Sequence, residues 1–177
     1  MTEIKQERGL FMTKELNIEI ELGDLFSGGN QFKELREIVK SSTVFSTDEL
    51  YDALENGSVF HLAKKKDTGK IIGYGISKLY YPWEILKVDE ECLKKCEDQI
   101  TEEDFEDRIG YISAVEVIPQ YQGLGVGKRL AEKIMEVYPA YNMAFLSTLE
   151  ATAFWMSMGF RNIIGWSGVF PYLFYKR

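Results

Sequence analysis

Residues 116–135 read EVIPQYQGLGVGKRLAEKIM, from Glu116 to Met135. Gly123, Gly125 and Gly127 fall on alternate positions within it. An apolar, β-branched run precedes them. After them, Leu130 and Ile134 recur at the spacing of one helix face. The stretch therefore predicts a strand, a glycine turn and a helix in succession. The first turn of any helix carries backbone N–H groups without internal partners, and Ser, Thr, Asp or Asn ordinarily caps them. Here the preceding residues are Gly, Leu and Val, whose side chains accept nothing. An external anion is then a natural partner, and the helix dipole favours it. Glycines at 123, 125 and 127 let the backbone take positive φ and let a phosphate approach without a Cβ in its way. Lys128 and Arg129 add positive charge. The run Gln122, Gly123, Leu124, Gly125, Val126, Gly127, Lys128 reads as a diphosphate cradle. The alternative is a tight strand-to-helix turn that binds nothing.

Two common phosphate motifs fit poorly. The dinucleotide fingerprint spaces its glycines G-x-G-x-x-G, and this is G-x-G-x-G. The mononucleotide loop follows Gly-Lys with a Ser or Thr for Mg²⁺, whereas Arg129 follows Gly127-Lys128.

The bulk composition sets outer limits. A chain of 177 residues suits one domain, 1–177, with a sizeable core. Residues 1–15 are charged and read as a flexible N-terminus without a signal peptide. No apolar run approaches the roughly 20 residues of a membrane helix, so a cytoplasmic protein with no membrane partner is expected. Cys92 and Cys96 read as reduced thiols, since no second Cys or His pair completes a zinc site, and no metal is expected. The net charge is −7, but Trp83 to Asp107 holds eleven acidic residues against three lysines. That acidic insert carries −8 and leaves the remainder at +1. With no basic face, a nucleic-acid partner is not expected.

Along the chain, Leu16–Leu22 alternates as a strand. Gln31–Lys40 and a segment starting at Thr47, with Thr47 able to cap, have helical spacing. Val59–Lys65 and Lys70–Tyr80 read as strands joined by a KDTGK hairpin turn. Arg108–Ile118 is a strand ended by Pro119. Gly127–Tyr138 is a helix with Leu130, Ile134 and Val137 inward. Met143–Leu149, Phe160–Gly165 and Val169–Lys176 read as strands, and Glu150–Met158 as a helix closed by Gly159. The order β α α β β (insert) β α β α β β mixes hairpins with one right-handed strand–helix–strand crossover. That is a mixed α/β (α+β) chain and disfavours a doubly wound dinucleotide fold.

The series Val117-Ile-Pro119 followed by Gln122-Gly-Leu-Gly125-Val-Gly127 resembles motif A of the GNAT acyltransferases, Q/R-x-x-G-x-G/A. Phe154-Trp-Met-Ser-Met-Gly159-Phe160 is similar to the family's F-Y-x-x-x-G-F. The resemblance implies an acyl-CoA N-acyltransferase fold, a central, mostly antiparallel sheet flanked by helices. It also implies acetyl-coenzyme A as cosubstrate, with its pyrophosphate on the backbone of Gln122–Lys128. Its pantetheine arm would lie along the splayed strand at Val115 and Val117. An amide of that strand would stabilise the developing oxyanion, and a bound primary amine would attack the thioester with no covalent enzyme intermediate.

The chain departs from that pattern where acid–base chemistry belongs. Trp155 stands where many members have the Tyr that protonates the leaving thiolate, and Thr148 stands where many have Asn. Indole N–H has no useful acidity. Another of the ten tyrosines can substitute, the thiolate (thiol pKa ~8.5) can leave without an acid, or the protein binds coenzyme A without turnover, as a sensor or regulatory module. Glu116, a lone charge in Ala114–Ile118, is the candidate base; the alternative is a solvent-facing or lysine-paired carboxylate. His61 reads as a packed strand residue.

The acidic insert can concentrate a cationic amine acceptor, small molecule or peptide, or can be a solvated face. Tyr80, Tyr81, Pro82 and Trp83 read as packing against the sheet. The aromatic strand Val169–Lys176 can pair with a second subunit as a homodimer, or lie inside its own sheet.

Overall fold

A computed structural model describes residues 16–25, 29–80, 109–137, 142–146, 149–167 and 170–176. The acidic insert, the N-terminal fifteen residues, Tyr81, Pro82 and Thr148 lie outside the described residues. The described elements are β1 (Ile18–Leu22), α1 (Asn30–Lys40), α2 (Thr47–Glu55), β2 (Val59–Lys65), β3 (Ile71–Tyr80), β4 (Ile109–Val117), α3 (Val126–Val137), β5 (Asn142–Leu146), α4 (Leu149–Ser157), β6 (Arg161–Ser167) and β7 (Phe170–Lys176). The element order expected from sequence is the order observed. All seven strands form one sheet in the order β1-β2-β3-β4-β5-β7-β6. The first four pair antiparallel. β4 and β5 pair parallel, with α3 as the crossover between them. β7 is interior, paired with β5 on one side and β6 on the other. An interior place accounts for its aromatic composition, as the second of the two sequence readings held.

The sheet buries both faces. On one face α1 and α2 cover Phe60, Leu62, Tyr74, Ile76 and Ala114 with Leu35, Val39 and Leu50. The spacing of 35 and 39 puts both side chains on one helix stripe. Ser46, not Thr47, is the N-cap of α2: its Oγ accepts from the Glu49 amide at 3.2 Å, and Glu49 Oε2 accepts from the Ser46 amide at 2.7 Å. This reciprocal box satisfies two orphan donors at once. Thr47 lies one residue too late to do so.

On the other face α3 packs Val126, Leu130, Ala131 and Ile134 against Ile18, Ala63, Ile72, Ile112 and Val117. Val137, expected to face inward, is 42 % exposed, because the helix ends there beyond the sheet contact. Two strand glycines let α3 lie close. A Cβ at Gly75 would stand 2.5 Å from Ile134 Cδ1, and one at Gly73 would stand 3.3 Å from Leu130 Cδ1 and 2.9 Å from the Glu116 carbonyl oxygen. The helix that follows the glycine turn is thereby pressed against β3 and β4, which fixes where its N-terminus points.

Candidate functional site

The site begins with a strand that outruns its neighbour. β4 pairs with β5 only at Gly110↔Met143, Tyr111↔Ala144 and Ile112↔Phe145. On its other side β4 stays paired with β3 as far as Val117. The β3–β4 register passes from Ile76↔Ala114 to Ser77↔Ile112, so Ser113 is an extra residue on β4. A bulge of this kind bends and twists its strand, and it sits at the point where the β5 ladder stops.

The ladder pattern says which backbone groups this leaves open. Ile118 N–H donates to the Ile72 carbonyl at 2.9 Å, which with the register Gly73↔Val117 makes that pair non-hydrogen-bonded. The hydrogen-bonding groups of Val117, and by alternation those of Val115, therefore point away from β3, while those of Glu116 point toward it. Among the described residues no strand pairs with that edge beyond Ile112. Val115 and Val117 thus direct their amides to the side of β4 that has no strand partner beyond Ile112 among the described residues. Gln122 modifies that edge: its Nε2 donates to the Val117 carbonyl at 2.9 Å. The side chain of the motif's first residue is a brace between turn and strand.

Pro119 to Tyr121 form a 3-10 turn that swings the chain into the glycine stretch. Gly123 and Gly125 both have positive φ, +74° and +79°, a conformation open to glycine at little cost. Gly127 does not; it lies inside α3, and a Cβ there would meet only ordinary contacts, Val117 Cγ2 at 3.6 Å and Phe154 Cζ at 3.9 Å. The expectation of positive φ at 127 is corrected: the turn is complete at Gly125. Arg129 N–H donates to the Gly125 carbonyl at 3.1 Å. Gly125 is therefore the N-cap, has no side chain to cap with, and leaves the amides of Val126, Gly127 and Lys128 without helical acceptors. Gly123, Leu124 and Gly125 are exposed, and Val126 is buried beneath them.

The two cations behave differently. The Lys128 ammonium is exposed and 3.8 Å from Glu132 one turn on. Arg129 Nη2 donates to the Ile18 carbonyl at 3.0 Å, tying α3 to β1. The positive charge expected of Arg129 is thus spent on the β1 edge, and Lys128 alone remains at the turn.

Glu116 lies between the two open-edge valines, on the face covered by α1 and α2. Its register partner Tyr74 is 0 % exposed, and the Tyr74 hydroxyl donates to Glu116 Oε2 at 2.5 Å. The alternative of a lysine-paired Glu116 is not what the described residues show. Burial, then the hydrogen bond to Glu116, push the Tyr74 phenol far above its ordinary range. Ser42 works against them, and the charges of Glu116 and Glu49 add to the rise. Tyr74 therefore keeps its proton and acts as a donor. It is not a substitute for the missing acid. Sequence reasoning overlooked Tyr74 and Ser42; the one signal was an aromatic set between two strand glycines, Gly73 and Gly75.

Trp155 is 4 % exposed and belongs to the end of α4. Gly159 N–H donates to the Met156 carbonyl at 3.0 Å and Phe160 N–H to that of Trp155 at 3.1 Å, the two bonds of a Schellman cap. The apolar contact that accompanies such caps is Trp155 against Phe160, rings 5.0 Å apart and edge-on. The indole fills the core between α4 and the sheet. His61 is buried at 3 % exposure in β2, under α3, as expected. Among the described residues no group of three or more His, Cys, Asp or Glu is placed to hold a metal ion. Nor is any helix there long and apolar enough to cross a membrane.

The family model described as Acetyltransferase (GNAT) family matches residues 30–160. The fold is similar to Arabidopsis thaliana NAA60 solved with acetyl-CoA, at TM-score 0.64 and 16 % identity over 91 % of this chain and 98 % of that one. It is similar to mosquito arylalkylamine N-acetyltransferase like 5b, at TM-score 0.64 and 14 % identity over 91 % and 100 %. The Escherichia coli ribosomal-protein-S18-alanine N-acetyltransferase gives TM-score 0.57 and 14 % identity over 89 % and 90 %. No curated protein sequence matches the chain.

Proposed function

The chain belongs to the acetyltransferase (GNAT) family, and from that premise we propose that it transfers the acetyl group of acetyl-coenzyme A to a primary amine, both substrates bound together. The observation that carries this reading is the edge of β4 that continues past the end of the β5 ladder and runs directly into an uncapped helix N-terminus. An extended arm bearing amides can pair with Val115 and Val117 as a strand would. A diphosphate can take the amides of Val126, Gly127 and Lys128 and the dipole behind them. Coenzyme A offers an amide-bearing arm and a diphosphate in that order.

In this reading the residues have separate tasks. Gln122, Gly123, Leu124 and Gly125 shape the turn; the backbone of residues 126–128 holds the pyrophosphate. An open-edge amide of β4 faces the thioester oxygen and stabilises the charge that develops on it. An ammonium acceptor must lose a proton before it attacks, and Glu116 takes it on Oε1, the oxygen that Tyr74 does not engage, directly or through a water. Neither Trp155 nor Tyr74 protonates the departing thiolate; a thiol of pKa ~8.5 leaves tolerably at neutral pH. The acceptor is an amine, as the names of the similar arylalkylamine and protein N-acetyltransferases suggest, and the acidic insert favours a cationic one.

The test is thiol release on mixing acetyl-coenzyme A with a panel of amines: polyamines, arylalkylamines and peptides with free N-termini. Turnover that Glu116→Gln lowers at least tenfold supports the reading. A second reading, a coenzyme A-binding module without turnover, rests on Trp155, whose burial removes it as a proton donor. Tight acetyl-coenzyme A binding with no thiol release from any amine would favour it.

A further inference from the structure

A series of polar groups runs from the connection between α1 and α2 to the carboxylate of Glu116. Ser42 Oγ accepts from the amides of Val44 and Phe45, each at 3.0 Å. Those two bonds occupy its lone pairs, so its single proton is free to be given away. Ser42 acts on the Tyr74 phenol in the sense of a donor, lowering its pKa. The Tyr74 proton goes in turn to Glu116 Oε2 at 2.5 Å. A donor set behind a hydroxyl that itself donates strengthens the bond to the carboxylate. Tyr74 is wholly buried, while Ser42 and Glu116 are half-buried, so the series starts at a connector and ends at a partly accessible carboxylate.

We propose that Tyr74 is a positioning residue, held by Ser42, that aims the Glu116 carboxylate and couples its orientation to the conformation of the Ser41–Ser46 connector. The proposal rests on the reading of Glu116 as the base but adds what sets it. A carboxylate on a strand turns freely about its last bond; the phenol removes that freedom by fixing one oxygen. The groups around the phenol are few. β4 contributes Glu116, the α1–α2 connector contributes Ser42, and α2 contributes Glu49, itself occupied by the Ser46 capping box. Because the connector also carries the cap of α2, a ligand that shifts it would turn the carboxylate as well.

The experiment has a structural and a kinetic arm. The structural arm is isotope-edited infrared spectroscopy of the full chain with ¹³C-carboxyl glutamate, Glu116 being identified by difference from Glu116→Gln. Its carboxylate bands should change in Tyr74→Phe, change less but in the same sense in Ser42→Ala, and return with 3-fluorotyrosine at position 74, which keeps the hydroxyl and the fold. Unchanged bands in both variants would overturn the proposal. Should Tyr74→Phe fail to fold, Ser42→Ala and the fluorotyrosine chain decide alone. The kinetic arm is acetyl transfer with acetyl-coenzyme A and a responsive amine. Tyr74→Phe should lower kcat about tenfold, leave acetyl-coenzyme A affinity within twofold, and be rescued by the fluorinated tyrosine. If the bands change and kcat does not, Tyr74 does orient Glu116 and it is the assignment of Glu116 as base that fails.

Discussion

Gln122 Nε2 and the Val117 carbonyl oxygen are 2.9 Å apart, and this bond closes the angle between β4 and the glycine turn. It joins a residue of the turn to the last residue of the strand, and it satisfies one open-edge acceptor while leaving the neighbouring amide donors without a strand partner among the described residues. A neutral hydrogen bond of this kind contributes about 1 kcal/mol. Gln122→Ala should therefore weaken acetyl-coenzyme A binding roughly fivefold and leave the acceptor KM unchanged. Isothermal titration of wild type and variant checks this. Unaltered affinity would show that the brace is dispensable for the site.

The three turn glycines divide into two kinds. At Gly123 and Gly125 a Cβ would meet nothing within 4 Å, but φ is positive, so Ala at either should cost about 1–2 kcal/mol from backbone strain alone. At Gly127 neither obstacle exists, and Ala in a helix is about 1 kcal/mol better than Gly. Gly127→Ala should keep or raise the melting temperature and still lose acetyl-coenzyme A affinity, because a methyl group there crowds the ligand. A variant that melts higher and binds as well as wild type would mean that no ligand approaches position 127.

The strand glycines predict an asymmetry in stability. The obstacle at Gly75 is the end of the Ile134 side chain, which can rotate, whereas at Gly73 it is the Glu116 carbonyl, which cannot. Overpacking costs about 1–3 kcal/mol, and Gly73→Ala should lie at the upper end with Gly75→Ala at the lower. Urea unfolding of the two variants measures the difference. Equal losses would argue that α3 shifts as a body to relieve both.

His61 gives stability a pH dependence. Burial first, and the Lys133 charge second, hold its pKa below the ordinary imidazole value, and among the described residues its Nδ1 has no hydrogen-bond partner. The folded state thus favours the neutral ring. Below about pH 6.5 the unfolded chain takes up a proton that the folded chain does not, so stability falls as pH drops from there toward the lower folded value. The slope approaches ~1.4 kcal/mol per pH unit. Unfolding midpoints between pH 7.5 and 5.5 should decline, and decline less in His61→Phe. The same pH dependence in both would remove His61 as the cause.

These residues also mark where the sequence could be read and where it could not. Local chemistry was legible. The glycine spacing, the missing cap and the Pro119 stop each concern neighbours in the chain, and the element order followed from them. What depends on register was hidden. Tyr74 and Glu116 meet only because β3 and β4 pair with an extra residue at Ser113, and no pattern within either strand encodes that offset. The bond from the Gln122 side chain to the Val117 carbonyl was hidden because a side-chain amide's partner cannot be read from spacing. Trp155 was recognised as a departure from the family pattern. Its reason, an indole serving a helix cap with Phe160, needed the rings in place. Ser46 displaced Thr47 as cap because the box requires an acid three residues on, and Glu49 supplies it only to Ser46.

Hydrogen exchange of the backbone amides, read by NMR with and without acetyl-coenzyme A, tests the central claim most directly. Binding along the β4 edge predicts added protection at Val115, Val117, Val126, Gly127 and Lys128. Glu116, already paired with β3, should stay as it was, and ATP or NAD should produce none of this pattern. Acetyl-coenzyme A that leaves the Val115 and Val117 amides unchanged, or protection that ATP reproduces in full, would contradict the account.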